Sequence, residues 1–157
     1  MTTAQSVTTR VRIAKPADAG RVRSAYESWD YTRKIAPDDT IWLAENAGEL
    51  VGIVRIAAEF GTLVLRGMRI AEGWQRRGIG SLMLLAVDKW LDERKCYCVP
   101  YAHLGKFYCQ IGFRIIEVET APRFLRDRID EYRRASLDVM VMLRTKEPRL
   151  TKRKPVS

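Results

Sequence analysis

One histidine, His103, and three cysteines, Cys96, Cys98 and Cys109, are all that this chain of 157 residues offers to a soft metal or to thiol chemistry. Structural zinc takes four ligands of these types at characteristic spacings. Cys-x-Cys with a lone histidine is a poor match, so no metal is expected. An odd cysteine count does not form a disulfide framework and points to a reducing compartment, so a cytoplasmic location is expected. Cys96 and Cys98 would share one face of a strand, as small buried hydrophobes. No apolar run reaches the roughly 18 residues of a membrane span. Residues 1–9 lack the apolar stretch of a secretory leader and read as a flexible N-terminus. No membrane association is expected.

Acid is also scarce: 19 Asp and Glu face 28 Lys and Arg, a formal net charge of +9. Such a balance favours polyanionic partners. Part of it sits after Leu143, where Arg144, Lys146, Arg149, Lys152, Arg153 and Lys154 meet only Glu147. With Pro148 and Pro155, residues 146–157 read as a flexible basic tail. Charge runs of this kind mostly stay solvated. No RNA-binding aromatic motif or helix-turn-helix pattern accompanies them, so nucleic acid is not the expected partner.

What is present is an ordinary globular composition, 46% hydrophobic and 30% charged, enough for one domain over residues 10–145. Val11–Ile13 alternates as a short strand. Pro16 opens a helix, with apolar residues at helical spacing through Trp29. Tyr31 to Asp39, broken by Pro37, is a loop or a short second helix. Thr40–Ala44, Leu50–Ala57 and Thr62–Ile70 form a meander, and Gly67 marks a bulge or a close backbone approach. A buried helix runs from Arg76 to Leu91. Strand Cys96–Val99, helix His103–Ile111, strand Phe113–Val118, a helix opened by Pro122 and strand Leu137–Leu143 follow. Arginine–aspartate pairs four residues apart lace the outer face of that last helix, which is assigned no function. The order β-α-(α)-β-β-β-α-β-α-β-α-β implies an α/β fold with a mixed central sheet and helices on both faces.

The chain is organised around Gln75-Arg76-Arg77-Gly78-Ile79-Gly80-Ser81, between a strand and an apolar helix. The first N–H groups of a helix have no partner within it, and the helix dipole adds positive charge there. Glycine admits a phosphate close to the backbone, and the arginine pair adds charge-assisted hydrogen bonds. A phosphate or pyrophosphate site results. No lysine follows the second glycine, which excludes a Walker loop. Met83 stands where the dinucleotide fingerprint needs its third glycine.

About thirty residues further on lies Phe107-Tyr108-Cys109-Gln110-Ile111-Gly112-Phe113. Gln-x-x-Gly-x-Gly after a strand, then Phe-Tyr-x-x-x-Gly-Phe between helix and strand, resemble the two signature elements of the GNAT superfamily of N-acetyltransferases. The resemblance covers Val11 to Arg144, and the segment from Phe124 to Val139 looks like a small branch with an added helix before the last strand. It implies direct acetyl transfer from acetyl-CoA to a primary amine, without a covalent enzyme intermediate. Acetyl-CoA would lie where the strands carrying Arg66–Ile70 and Cys96–Val99 splay apart. Backbone groups of Met68 and Ile70 would hold the pantetheine and acetyl carbonyl. Gln75, Arg76, Arg77, Gly78, Ile79, Gly80 and Ser81 would hold the pyrophosphate.

Tyr108 matches the family tyrosine that protonates the departing thiolate. On spacing alone it reads as a core aromatic on an apolar helix face, and the motif context reverses that reading. Two departures stand out: Tyr101 replaces a common asparagine, and Cys96 and Cys98 occupy the strand where some members carry a carboxylate base. Glu59 is named as the candidate base, with Glu72 and a water chain as alternatives. His103 is either a proton relay or a structural residue. The acceptor pocket is expected between residues 17–39 and 119–138, and the amine itself stays open, as does a homodimer. Two other functions are kept: a catalytically silent acyl-CoA-binding module, and a basic nucleic-acid-associated protein.

Overall fold

The computed structural model describes residues 8–145. Apart from Thr8 and Thr9, the expected flexible N-terminus and the basic tail of residues 146–157 lie outside them. The described chain runs β1 (Arg10–Ile13), α1 (Ala19–Ser28), β2 (Thr40–Asn46), β3 (Glu49–Glu59), β4 (Thr62–Ile70), α2 (Ile79–Leu91), β5 (Cys96–Cys98), α3 (Gly105–Cys109), β6 (Phe113–Ile115), α4 (Arg123–Arg134) and β7 (Met142–Arg144). One sheet holds the strands in the order β1-β2-β3-β4-β5-β7-β6. Neighbours are antiparallel except β4 and β5, which are parallel. This is the mixed sheet that a meander followed by alternating units requires.

Successive strand residues point to opposite faces, and each face carries its own core. Met83, Leu84, Val87 and Leu91 of α2 pack with Trp42, Val54, Ile56 and Leu65 on one face. On the other, Val22 and Tyr26 of α1 cover Leu43 and Ile53, while Leu125 and Ile129 of α4 cover Val64, Val139 and Val141. Each fully buried large side chain contributes about 1.5–3 kcal/mol. Helices therefore lie on both faces, as the sequence pattern predicts. No described helix is long and apolar enough to cross a membrane, and no described group of three His, Cys, Asp or Glu residues is arranged to hold a metal.

The differences are local and have physical causes. Residues 31–39 hold no helix. Helix α2 begins at Ile79 rather than Arg76, because Arg76 (φ 64°) and Gly78 (φ 81°) are in the left-handed region. The helix expected over His103–Ile111 is a 3-10 turn, Ala102–Leu104, followed by the five-residue α3. Strand β7 is confined to Met142–Arg144 because the preceding residues pair elsewhere. Val139 bridges Tyr101, and Met140 donates its N–H to the Pro100 carbonyl. Arg144, grouped by sequence with the basic tail, is fully buried at the end of this strand.

Candidate active site

Strands β4 and β5 pair only at Val64–Tyr97 and Leu65–Cys98. Beyond Leu65 they part: β4 continues along β3 to Ile70, while the chain after β5 turns to Val139 through Tyr101. The opening is a cleft of about 160 Å³ between the Arg66–Arg69 edge of β4 and the Cys98–Tyr101 segment. Tyr31 and Arg33 line it from one side and Arg128, Tyr132 and Leu137 from the other. These residues come from the two regions expected to border the acceptor.

Gly67 shapes this edge. Ile53 pairs with Arg69 but Arg55 pairs with Arg66, so β4 carries one extra residue there, a β-bulge. Gly67 has φ 65°, and its carbonyl accepts the Tyr26 hydroxyl at 2.7 Å. A Cβ at this position would lie 2.5 Å from that hydroxyl oxygen. Gly67→Ala therefore combines left-handed strain with a steric clash. The expected result is a loss of roughly 2–3 kcal/mol of stability, measured by urea denaturation; a loss below about 0.5 kcal/mol would contradict it. Beside the bulge, buried Arg55 donates to Asp39 at 2.6 Å and to the Tyr31 hydroxyl at 2.7 Å, fixing the loop of residues 31–39 over the cleft.

The loop from β4 to α2 carries the stretch expected to hold the pyrophosphate, and it enters the helix through a left-handed glycine. Gly78, left-handed, precedes the helix, and the first bond back to it comes from the Leu82 N–H at 3.1 Å. The N–H groups of Ile79, Gly80 and Ser81 belong to the opening turn, where helical partners are lacking. Gln75 braces the loop by donating to the Ile70 carbonyl at 3.2 Å. The Arg77 guanidinium stacks over Trp74 at 4.7 Å. Gln75, Arg76, Arg77 and Gly78 are exposed, whereas Ile79 is buried in the core. Gly80 also has a packing reason to be small: a Cβ there would lie 2.9 Å from the Phe107 ring. The two sequence motifs thus pack on one another through this glycine.

Tyr108 follows Phe107 and lines the cleft. It is buried, with its ring edge-on to Phe107 and Phe113. Burial, reinforced by the neighbouring Cys98 thiol and opposed by Arg69, raises its pKa well above the usual phenol value. The hydroxyl therefore keeps its proton. Met68 lines the same cleft, its carbonyl accepting Arg69 Nη1 at 3.0 Å.

Glu59 sits differently from a base. Its two carboxylate oxygens accept Arg66 and Arg128, each at 2.7 Å. Partial burial opposes its ionisation, but the two guanidiniums outweigh that and hold its carboxyl below the usual range. A general base needs the reverse bias, and Glu59 does not line the cleft. Glu72 is exposed. His103 is exposed and stacks on Tyr101 at 5.9 Å; Tyr101 borders the cleft and His103 does not. Among the described residues, no carboxylate or imidazole lines the cleft.

Arg128 is a cleft residue that no sequence motif marks. It lies on the helix whose charged outer face reads as solvated, yet it is three residues after Leu125 and four before Tyr132, on the inner face. That spacing is the signal that could have found it.

Residues 37–115, half of the chain, match the family model described as the acetyltransferase (GNAT) domain. The chain belongs to the GNAT acetyltransferase family. Solved structures share this GNAT fold. A GNAT-family acetyltransferase from Streptococcus pneumoniae has a TM-score of 0.64 at 17% identity, over 88% of this chain and 100% of that one. The PaiA N-acetyltransferase from Thermoplasma acidophilum, solved with coenzyme A, gives 0.59 at 14% identity over 88% and 99%. N-acetylglutamate synthase from Neisseria gonorrhoeae, solved with coenzyme A and N-acetyl-glutamate, gives 0.63 at 14% identity, over 92% of this chain but 37% of that one. This chain thus spans little more than a third of the synthase. No curated protein matches the sequence.

Proposed function

We propose that this GNAT-family protein transfers an acetyl group from acetyl-CoA to a primary amine by direct attack within a ternary complex. The observation that carries this is the parting of β4 and β5 around a cleft bordered by a buried, protonated phenol, Tyr108. In this scheme the opening turn of α2 with Arg76 and Arg77 holds the pyrophosphate. Backbone groups of Met68 and Ile70 hold the pantetheine arm and the acetyl carbonyl, and a backbone N–H there meets the developing oxyanion. The amine nitrogen bonds to the thioester carbonyl carbon, the carbon–sulfur bond breaks, and the Tyr108 hydroxyl gives its proton to the departing thiolate. The amine loses its proton to water, and water returns a proton to the Tyr108 phenolate, since no described residue lining the cleft is a side-chain base. Glu59 then positions Arg66 and Arg128 rather than accepting that proton.

The test is thermal unfolding with acetyl-CoA, CoA and ATP. A ligand at about 100 times its Kd adds about 2.7 kcal/mol, which in a domain of this size raises Tm by roughly 5–10 °C. Both coenzyme forms should reach this shift and ATP should not. Arg76→Ala with Arg77→Ala should remove most of it. No shift with either coenzyme overturns the proposal. The lack of a base in the lining favours one second reading, a catalytically silent acyl-CoA-binding module. Coenzyme binding without thiol release from acetyl-CoA, across the amines named below, would identify it.

A further inference from the structure

The cleft is unusual in its charge. Four arginines line it: Arg33 from the loop after α1, Arg66 and Arg69 from β4, and Arg128 from α4. One carboxylate, Glu59, serves two of them, Arg66 and Arg128. Asp39, also nearby, pairs with Arg55 behind the bulge. Arg69 lies over the Tyr31 ring at 4.8 Å and Arg33 over the Tyr132 ring at 4.9 Å, contacts that orient a guanidinium without neutralising it. Neither is ion-paired to a described carboxylate. Arg128 presents a further donor, Nη1, that is buried and has no hydrogen-bond partner among the described residues. A buried donor left unsatisfied costs about 1–3 kcal/mol, so its retention needs a reason.

We propose that the acceptor is an anionic amine, bearing a carboxylate or phosphate that Arg128 and Arg69 receive. The proposal rests on the acetyl-transfer function above and specifies its substrate class. Planar guanidinium forks suit these anions better than a point charge does. The unsatisfied Nη1 of Arg128 gains its partner from the ligand. The same field repels an unadorned ammonium or a polyamine. It also bears on the proton problem. Neighbouring positive charge favours the neutral form of an amine, so an acceptor anchored through its anion presents more free amine to the thioester without a carboxylate base. The phosphates of CoA have their own arginines, Arg76 and Arg77, in the loop before α2, which is not part of the cleft lining.

The experiment measures thiol release from acetyl-CoA by the full-length protein with matched acceptors: amino acids against their carboxamides, O-phosphoethanolamine against ethanolamine, and spermidine as the cationic control. The expected result is a kcat/KM at least about 30-fold higher for the anionic member of one pair, with the carboxylate and phosphate arms separating the two anions. Arg128→Gln and, separately, Arg69→Gln should reduce that preference by about tenfold or more through KM, leaving the Tm shift with CoA in place. Arg69 forms no ion pair to a described carboxylate, so its variant guards against a folding defect from breaking the Glu59 pair. Preference for neutral amines or spermidine, or unchanged ratios in both variants, overturns the proposal. Without turnover, calorimetric titration of the CoA-saturated protein with the same pairs decides it. Binding of an anionic member that weakens in Arg128→Gln supports it, and no binding of any anionic member overturns it. Failure of CoA itself to stabilise the protein is a separate result, which removes the acetyl-transfer function.

Discussion

Replacing Tyr108 by phenylalanine should lower kcat by about 100-fold or more while leaving acetyl-CoA affinity nearly unchanged. The side chain is buried beside Phe107 and Phe113, so phenylalanine keeps the packing and removes only the hydroxyl. A positioned proton donor contributes typically 10²–10⁴ in rate, and an interaction made mainly in the transition state appears in kcat rather than in KM. The pH profile separates this role from a structural one. Burial raises the folded-state pKa above the usual phenol value, so the neutral form persists to higher pH than in the unfolded chain. The donor is present throughout the neutral and mildly alkaline range, and wild-type kcat should show no alkaline fall from this group below about pH 10. A kcat within threefold of wild type at saturating substrates would return Tyr108 to the core.

The largest stability effect is expected at Arg144. Its guanidinium donates to the carbonyls of Ile111, Arg94 and Asp92 at 3.0, 2.8 and 2.9 Å, and to the Asp88 carboxylate. One buried side chain thus ties the C-terminal end of α2, the end of α3 and β7 together. Arg144→Met fills much of the volume but leaves three carbonyls and a partly buried carboxylate without their donor. Breaking such a set costs about 3–5 kcal/mol, a large share of the 5–15 kcal/mol that holds a domain folded. Tm should fall by roughly 10 °C. Arg144→Lys should recover little, because an ammonium lacks the fork that reaches several acceptors at once. A fall of less than about 2 °C for Arg144→Met would mean that the carbonyls find other donors.

Arg144 also illustrates the limit of composition. In the sequence it is the first of several cations after Leu143, and a run of like charge reads as solvated tail. In the fold it is fully buried, because β7 sits between β5 and β6 and its last residue faces the carbonyl-rich end of α2. Glu59 and Arg128 tell the same story over a longer distance. They are 69 residues apart, and a carboxylate at a strand end with an arginine on a charged helix look like two independent surface residues. Packing α4 against β4 makes them a pair, which changes Glu59 from a candidate base into a clamp on two guanidiniums.

The order of elements, the mixed sheet, an irregularity at Gly67 and the GNAT motifs are all legible along the chain. These are local properties: side-chain periodicity, breakers, and glycines at fixed offsets act within a few residues of where they are written. Packing sets the rest: β4 and β5 part after Leu65, Gly80 leaves room for Phe107, and four arginines from three separate described segments face one cleft. Those facts depend on which faces meet when the helices close over the sheet. Charge at a site is a sum over neighbours in space, and a sequence lists neighbours only along the chain.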